Sequence, residues 1–256
     1  MKMKSAGTLP VLPPLILAFG ALLLIAPARA CTVFCYSQGN SVLAGRSFDV
    51  PDDPGFGLLF VPAAAGTHGW VCGGRFSGPC ADGMNDQGLF AAVADVPVPA
   101  SHTTTSSRRP ASIQTFITSL LANCASVDEA INWCRKLPTP TLYGQVHQDF
   151  LGYYTFDTPG HFLIADRSGD SAVLEWYRGK LNVVRKHGRY QLMTNFLLTD
   201  PAAGSYPCPR YLADTGVFDQ ATGPGLETCR QVLDTTAQGI TRYSLLCDLA
   251  NGDVHV

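Results

Sequence analysis

The chain has 256 residues and a formal net charge of −2, from 18 basic and 20 acidic side chains, so it offers no overall positive charge to nucleic acid or to an anionic membrane. Charged residues make up 15% of the sequence, below the roughly 25% of an ordinary soluble domain, whereas 46% is hydrophobic. These values exclude a typical nucleic-acid-binding protein and predict a domain with an extensive apolar core.

Residues 1–30 have the layout of a secretory signal peptide. Two lysines precede an apolar stretch, and small residues follow it, immediately ahead of Cys31. The apolar stretch is too short to span a bilayer, and no second hydrophobic run follows. We predict cleavage after Ala30, one mature domain over residues 31–256 with no membrane span, and a secreted or periplasmic location.

Nine cysteines in an exported chain predict a disulfide framework with one thiol left over. Cys31, at the predicted new terminus, is the natural unpaired residue. The other eight are Cys35, Cys72, Cys80, Cys124, Cys134, Cys208, Cys229 and Cys247. We expect them to form four disulfides of undetermined connectivity, although Cys72 with Cys80 and Cys124 with Cys134 are close enough for local loops. No paired CxxC spacing is present, which disfavours a zinc site.

The mature chain begins with a predicted β-hairpin. The segment "CTVFCYSQGNSVLAGRSFD" contains two β-prone runs separated by a Gln-Gly-Asn-Ser turn. Residues 51–57 are predicted to form a loop, and "GLLFVPA" a further strand. Residues 96–110 are rich in Pro, Ser and Thr without a hydrophobic period, which predicts a surface loop within the same domain.

Two successive helices are predicted after that loop. Ser126 and Glu129 form a capping-box pattern that opens the second helix. The first helix has one apolar face, formed by Ile113, Phe116, Ile117, Leu120 and Leu121.

The rest of the chain returns mainly to strands. "HFLIAD", "SAVLEWY" and "LNVVRKHGRYQLMTN" have strand patterns, and His161 is expected to begin an edge strand. A last helix is predicted from Leu226 to Ala237, followed by the hairpin "RYSLLCDLANGDVHV". Strands, helices and strands in this order predict an α+β layered domain rather than a regular βαβ alternation.

Three interpretations of Cys31 remain open: a disulfide partner, a lipid-anchored residue, or an N-terminal catalyst. Ala28 and Arg29 do not fit the aliphatic and small residues that a lipoprotein cleavage site requires, which favours ordinary cleavage. A thiol of pKa about 8.5 needs a nearby base to act as a nucleophile. An N-terminal cysteine supplies its own, because an α-amino group has a pKa of about 7.7–8.0.

Four motifs in this order resemble the choloylglycine hydrolase and penicillin V acylase family of N-terminal-nucleophile amide hydrolases, which includes acyltransferase-like relatives. They are "CTVF" at the mature terminus, "GRSFD" on the returning strand, "GMNDQGL" and "MTN". The hairpin "HFLIADRSGDSAVLEW" also resembles that family. The resemblance extends from Cys31 to about Asp248 and implies a four-layer αββα sandwich of the N-terminal-nucleophile hydrolase type.

The resemblance also implies roles at the reacting centre. Cys31 is the nucleophile and its α-amine the general base, Arg46 lies beside the thiolate, and Asp49 orients the amine. A cation near sulfur favours the thiolate, which agrees with the placement of an arginine there. Without the resemblance, Arg46 and Asp49 are equally well interpreted as a surface ion pair.

An oxyanion hole and a second arginine complete the implied site. Asn85 supplies a backbone N–H and Asn195 a side-chain amide, as suits the fixed neutral donors that a tetrahedral oxyanion requires. Asn85 is equally well interpreted as a turn residue. The best match to a later family arginine is Arg210 in "CPRYLAD", although it follows Asn195 sooner than in bile-salt hydrolases.

These observations predict a secreted hydrolase that cleaves a linear amide through a thioester, acts on a small acyl amide and needs no cofactor or metal. The alternatives are an acyltransferase or small-peptide hydrolase with the same nucleophile, and a lipid-anchored, disulfide-stapled binding protein.

A papain-like pair of Cys31 and His161 has suitable spacing but lacks the flanking signature. The chain stops at "DVHV", within or just after a predicted strand, so we expect a short family member or a fragment. Oligomer formation is left open.

Overall fold

A computed structural model describes residues 31–50, 55–75, 80–96, 113–136, 161–177, 180–203, 206–222 and 225–256. The predicted signal peptide and most of the predicted loop at 96–110 lie outside these residues. The strands are β1 Thr32–Gln38, β2 Ser41–Asp49, β3 Phe56–Val61, β4 Trp70–Arg75, β5 Cys80–Asn85, β6 Phe90–Val93, β7 His161–Ala165, β8 Ser171–Tyr177, β9 Lys180–Arg185, β10 Tyr190–Met193, β11 Thr241–Asp248 and β12 Asp253–His255. The helices are α1 Ile113–Asn123, α2 Val127–Lys136, α3 Pro209–Gln220 and α4 Gly225–Thr236, with a 3-10 turn at Pro201–Ala203.

The strands form two antiparallel sheets. The first has five strands in the order β10-β1-β2-β11-β12, and the second has seven in the order β3-β4-β5-β6-β7-β8-β9. In the five-stranded sheet β1 lies between β10 and β2, with Val33 opposite both Met193 and Arg46. This register brings the start of β1, the end of β10 and the middle of β2 together.

Three apolar clusters show that the molecule has four layers. The cluster between the sheets contains Val33 and Cys35 of β1, whereas Phe34 and Tyr36 face away from it toward α3 and α4. Successive side chains of a strand point to opposite faces, so one strand contributes to both layers. Phe218 of α3 packs on both outward rings, with centroid distances of 5.4 and 5.3 Å. A third cluster joins α1 and α2 to the seven-stranded sheet. The predicted αββα sandwich is therefore confirmed.

Most predicted elements are present, and one helix was not predicted. The N-terminal hairpin, α1, α2, α4 and the C-terminal hairpin all form. Ser126 Oγ accepts a hydrogen bond from Glu129 N at 3.2 Å, as the capping-box pattern predicts. The missed helix is α3, whose sequence lacks a clear apolar period, and strands β4, β5 and β6 were not predicted either. None of the described helices combines the length and apolar character that crossing a bilayer requires.

The prediction that His161 begins an edge strand is wrong in one respect. His161 does begin β7, but β7 lies between β6 and β8 in the interior of the seven-stranded sheet. Its imidazole is fully buried, and Nδ1 lies 3.2 Å from Glu175 Oε1 of β8. The histidine therefore faces Glu175, which gives no support to a papain-like pair with Cys31.

The predicted framework of four disulfides is also wrong. All nine cysteines lie in the described residues, and only Cys72 and Cys80, on neighbouring strands β4 and β5, are bonded. Cys124 and Cys134 share the core beneath α1 and α2 as free thiols, Cys31, Cys35 and Cys247 are free in the layer between the sheets, and Cys229 is free in the layer of α3 and α4. Buried cysteine behaves as a small hydrophobic residue, so these side chains fill the core as ordinary apolar groups.

Candidate active site

Cys31 lies at the beginning of β1, in the layer between the two sheets. Its alternation with Val33 and Cys35 directs the side chain toward the seven-stranded sheet, and the residue is only 6% exposed. The β1–β2 hairpin returns the chain so that Thr32 lies opposite Ser47, which brings "GRSFD" back beside the thiol. The hairpin predicted from sequence is therefore what assembles the first part of the site.

Arg46 of β2 is fully buried and contacts the sulfur directly. Its Nη2 donates to Cys31 Sγ at 3.2 Å, and its Nη1 donates to the backbone oxygen of Ala81 at 3.0 Å. The guanidinium lies over the ring of Phe48, 4.7 Å from the centroid. Arg46 is thus fixed in the position beside the sulfur that the resemblance implies, and it is not a surface ion-pairing residue.

A carboxylate and a phenol stand behind that arginine. Asp82 Oδ2 of β5 lies 3.0 Å from Arg46 Nη1, and both side chains are fully buried. The hydroxyl of Tyr243, on β11, donates to the same Asp82 oxygen at 2.5 Å. Burial and the negative charge of Asp82 raise the pKa of Tyr243, which keeps the phenol protonated as a donor. Sequence analysis missed both residues, although Asp82 directly precedes the "GMNDQGL" motif.

The Cys31 thiol has a raised pKa. Burial raises the pKa of Cys31, while the charge of Arg46 and a hydrogen bond from the backbone N–H of Asp49 lower it in part. The carboxylate of Asp49 adds to the rise, and Arg210 opposes it. Because burial is the largest of these effects, the sulfur at rest favours the thiol over the thiolate.

Asp49 ends β2 with its carboxylate in a ring of neutral donors. Oδ1 accepts from Thr241 Oγ1 at 2.6 Å, and Oδ2 accepts from Gln238 Nε2 at 3.1 Å and Ser47 Oγ at 3.5 Å. Burial raises its pKa, and the bond from Thr241 lowers it in part. The Asp49 backbone, rather than its carboxylate, hydrogen-bonds to residue 31. Its predicted role of orienting the amine stays a prediction.

Asn195, two residues beyond β10, holds the backbone nitrogen of Cys31. Its Oδ1 accepts from Cys31 N at 2.9 Å and from Arg210 Nη2 at 2.8 Å. Its Nδ2 donates one hydrogen to the backbone oxygen of Asp95 at 2.6 Å. An amide nitrogen carries two hydrogens, so Asn195 has a second donor for another acceptor. Asp95 was not among the predicted site residues.

Arg210 reaches the same residue from α3. Its Nη1 donates to the backbone oxygen of Cys31 at 2.8 Å and to Thr32 Oγ1 at 3.0 Å. Pro209 occupies the first turn of α3, where the absence of an N–H carries no cost, so the arginine is presented at the start of the helix. The short separation from Asn195 in sequence therefore does not keep Arg210 out of the site.

Asn85 does not supply the free N–H that was predicted. Its backbone N–H donates to Leu89 O at 2.9 Å across the turn that ends β5. Its side-chain nitrogen donates to the carbonyl oxygens of Leu121 and Cys124 at 2.8 and 2.7 Å, at the end of α1. Gly88 has a positive φ of 79° in the same turn. The alternative interpretation of Asn85 as a turn residue fits these contacts.

No metal site accompanies this cluster in the described part of the chain. Among those residues, no group of three or more His, Cys, Asp or Glu side chains is placed to hold a metal ion. The arrangement that is present combines one thiol, two guanidinium groups, two carboxylates and an amide around residue 31. Such a set can hold an acyl carbonyl near a sulfur nucleophile and stabilise negative charge on its oxygen.

Comparisons of the sequence with known proteins agree with this chemistry. A family model described as linear amide C-N hydrolases, choloylglycine hydrolase family, matches residues 31–197. The penicillin V acylase of Pectobacterium atrosepticum is 30% identical over 200 residues, which cover 66% of this chain and 50% of the relative. The chain thus spans about half the length of the curated relative that it matches.

Solved structures share the fold at low sequence identity. The penicillin V acylase from Agrobacterium tumefaciens has a TM-score of 0.64 at 22% identity, covering 87% of this chain and 81% of its own. A variant of the conjugated bile acid hydrolase from Clostridium perfringens gives 0.62 at 17%, covering 88% of both chains. The Caenorhabditis elegans ortholog of N-acylethanolamine-hydrolyzing acid amidase gives 0.59 at 12%, covering 86% and 93%.

Proposed function

We propose that this chain, which belongs to the choloylglycine hydrolase family of linear amide C-N hydrolases, hydrolyses a small acyl amide with Cys31 as an N-terminal nucleophile. The proposal includes export, removal of residues 1–30 and exposure of the α-amine of Cys31. The substrate is an acyl group joined to an amine by a linear amide. Penicillin V, conjugated bile acids and N-acylethanolamines, named for the relatives above, define the classes to test.

One observation carries the proposal: three separate polar atoms of residue 31 have dedicated partners. Sγ is contacted by Arg46, the nitrogen by Asn195 and the carbonyl oxygen by Arg210, at 3.2, 2.9 and 2.8 Å. A cysteine that merely fills a core needs partners for its backbone groups, but it needs no guanidinium at its sulfur and no side chains dedicated to all three atoms. Holding nucleophile and base within one residue fixes their relative geometry, which is a large part of the rate advantage of an active site.

The proposed cycle uses only groups of this chain and water. The α-amine takes the thiol proton as sulfur attacks the carbonyl carbon, and an S–C bond forms. The amine then passes that proton to the leaving nitrogen as the C–N bond breaks, which leaves a thioester. Water, deprotonated by the same α-amine, attacks the thioester and releases the acid and the free thiol.

Asn195 is the proposed donor to the tetrahedral oxyanion. Its Nδ2 has one hydrogen committed to Asp95 O and a second available, while Oδ1 is fixed by the Cys31 nitrogen and Arg210. A donor locked by other bonds needs no reorganisation as charge develops, which is the source of oxyanion stabilisation. The loss of such a donor typically lowers the rate about 10²–10³-fold.

The burial of Cys31 favours catalysis over a lipid anchor. At 6% exposure, the thiol lies between two sheets and packs with Val33 and Cys35. A lipid anchor has to extend from the protein surface into a bilayer, whereas this side chain points into the layer between the sheets. An acyltransferase differs only in the final acceptor, an amine in place of water, so product analysis distinguishes it from a hydrolase.

The decisive experiment compares thiol variants on a panel of amides. Penicillin V, a glycine-conjugated bile acid and an N-acylethanolamine are incubated with the exported protein, and amine release is measured. We expect turnover of at least one amide by the wild type, none by Cys31→Ala and little by Cys31→Ser. Cys35→Ala is the matched control, because Cys35 is a buried free thiol of the same strand whose pKa burial raises to about 11.

Intact mass tests the terminus itself. We expect a chain that begins at Cys31 and gains one acyl mass on that residue during turnover. Normal turnover by Cys31→Ala, or a lipid increment on Cys31, would overturn the proposal. Release of amine with transfer of the acyl group to a second amine, rather than to water, would reassign the protein as an acyltransferase.

A further inference from the structure

The arginine that touches the sulfur has a buried counter-ion. Arg46 is fully buried, and a guanidinium is always charged, so leaving its charge uncompensated would be very costly. Asp82 lies 3.0 Å away and is equally buried. Burial raises the pKa of Asp82, and the charge of Arg46 and the hydrogen bond from Tyr243 lower it only in part. With both partners in place, Asp82 is the carboxylate that balances Arg46.

Asp82 also fixes the direction in which Arg46 points. Nη1 is taken by Asp82 Oδ2 and by Ala81 O, both at 3.0 Å, and this leaves Nη2 directed at Cys31 Sγ. Strand β4 closes the far side of the carboxylate, since a Cβ at Gly73 would lie 2.6 Å from Asp82 Oδ1. The carboxylate is therefore packed against the backbone of β4, and the guanidinium is held by its contacts with Asp82, Ala81 O and the sulfur.

The charges around the thiol balance. Arg46 and Arg210 supply two positive charges, and Asp49 and Asp82 supply two negative ones, while Tyr243 remains neutral. The four charged side chains therefore sum to zero although one cation contacts the sulfur, and the α-amine of the processed chain adds no charge in the neutral form that acts as a base. Without Asp82 the same cation would draw the proton off the thiol, because an adjacent unpaired positive charge favours a thiolate.

We propose that Asp82 is a positioning residue that holds Arg46 Nη2 against Cys31 and cancels its charge, so that the resting nucleophile is a neutral thiol. This inference rests on the proposed function and deepens it. The S–H proton then leaves only when the α-amine accepts it during attack, as the S–C bond forms. A neutral thiol is also less readily oxidised to sulfenic acid than a thiolate, which suits an exported enzyme.

The test measures the ionisation of Cys31 without substrate. Processed wild-type protein and Asp82→Asn are alkylated with iodoacetamide between pH 5 and 10, and carbamidomethylation of the N-terminal peptide is followed by mass spectrometry. Asparagine keeps an oxygen facing Arg46 and Tyr243 but removes the charge. We expect Asp82→Asn to react about 10-fold faster at pH 7, with its pH profile displaced to lower pH by about one unit.

Asp86→Asn is the matched control. It makes the same aspartate-to-asparagine change four residues further along the chain, at a side chain that is 44% exposed. We expect its alkylation profile to match the wild type. An Asp82→Asn profile that is unchanged, or displaced to higher pH, would overturn the inference.

The wild type alone provides a second check, should Asp82→Asn fail to fold. We expect its Cys31 to react no faster at pH 7 than an ordinary cysteine, and a profile centred below pH 7 would overturn the inference. Alkylation requires no turnover, so the two proposals can fail independently. If no amide of the panel is hydrolysed but Asp82→Asn shows the expected alkylation shift, only the proposed function is overturned. Turnover with an unshifted profile defeats only the role of Asp82.

Discussion

Two arginines reach residue 31 from different layers of the molecule, and their surroundings differ in charge. Arg46 comes from within the five-stranded sheet and is paired with a buried carboxylate. Arg210 comes from the helix layer, and within the described part of the chain its hydrogen bonds go to neutral acceptors on Cys31, Thr32 and Asn195. The charge beside the sulfur is therefore cancelled at short range, while the charge beside the backbone carbonyl is not.

The acid nearest to Arg210 along its helix, Asp214, also differs from Asp82 in its surroundings. Asp214 lies one turn further along α3 and is fully buried, and neither of its carboxylate oxygens has a hydrogen-bond partner among the described residues. Burial raises the pKa of Asp214 to about 8, although Arg210 lowers it in part. Burial raises the pKa of both acids, but Asp82 has a guanidinium and a phenol in contact to offset it, whereas Asp214 has no such contact among the described residues.

The largest effect that this comparison predicts is at Arg46. We expect Arg46→Lys to lower kcat/KM about 10²–10³-fold, because one ammonium cannot contact Asp82, Ala81 O and the sulfur as a planar guanidinium does. The measurement is steady-state kinetics on whichever panel amide is turned over. Arg135→Lys, on the exposed surface of α2, is the control and should behave as wild type. Retention of more than a third of wild-type activity by Arg46→Lys would contradict the role given to its geometry.

A smaller effect is expected at Arg210. Lysine keeps the positive charge and can still donate to Cys31 O or to Asn195 Oδ1, so we expect Arg210→Lys to lower kcat/KM about 10-fold. The two lysine variants are measured side by side under identical conditions. If Arg210→Lys loses more activity than Arg46→Lys, then the contact with the sulfur is not the dominant one and the comparison fails.

The smallest effect is on stability, at Asp214. Above a pH of about 3.9 the unfolded chain ionises this acid, whereas the folded chain keeps it protonated up to about 8. The folded state binds more protons in that interval, so the stability of the wild type falls as pH rises through it. Asp214→Asn removes this dependence, and we expect its Tm to exceed that of the wild type by a few degrees at pH 8.

Thermal unfolding at a series of pH values checks this prediction. The gap in Tm between Asp214→Asn and the wild type should shrink toward zero near pH 3, about one unit below the unfolded-state pKa, where both states of the wild type bind the proton. Asp219→Asn, near the end of the same helix, carries the same change at a position exposed to solvent and serves as the control. A constant gap across the pH range would indicate a packing effect instead of a titration.

Local patterns predicted much of the fold correctly. The β1–β2 hairpin follows from β-prone runs around a turn, and α2 follows from the capping pattern at Ser126 and Glu129, each set by residues close in sequence. The missed helix α3 has no strong apolar stripe. Its helical state depends on packing Phe218 against Phe34 and Tyr36, which are distant in sequence.

Residues close in sequence and contacts between distant residues also contributed differently to the site. Motifs placed Cys31, Arg46 and Asn195 correctly in one cluster, because strand pairing follows from the hairpin and from the order of the strands. Asn85 was misjudged, since a backbone N–H that looks free in sequence is taken up by the carbonyl of Leu89 across its own turn. Of the eight predicted disulfide partners, Cys72 and Cys80 are bonded, as their close spacing suggested, whereas the other six are buried free thiols that fill the core.

The sequence by itself determined the four-layer class, the hairpin that carries Cys31 and the presence of an arginine beside it. Only the tertiary structure decided the charge of that site. Arg46 and Tyr243 lie on neighbouring strands of the five-stranded sheet, whereas Asp82 comes from the seven-stranded sheet and meets them only when the sheets stack. Electrostatic energy depends on distances in space and on burial, and neither quantity is encoded in local periodicity.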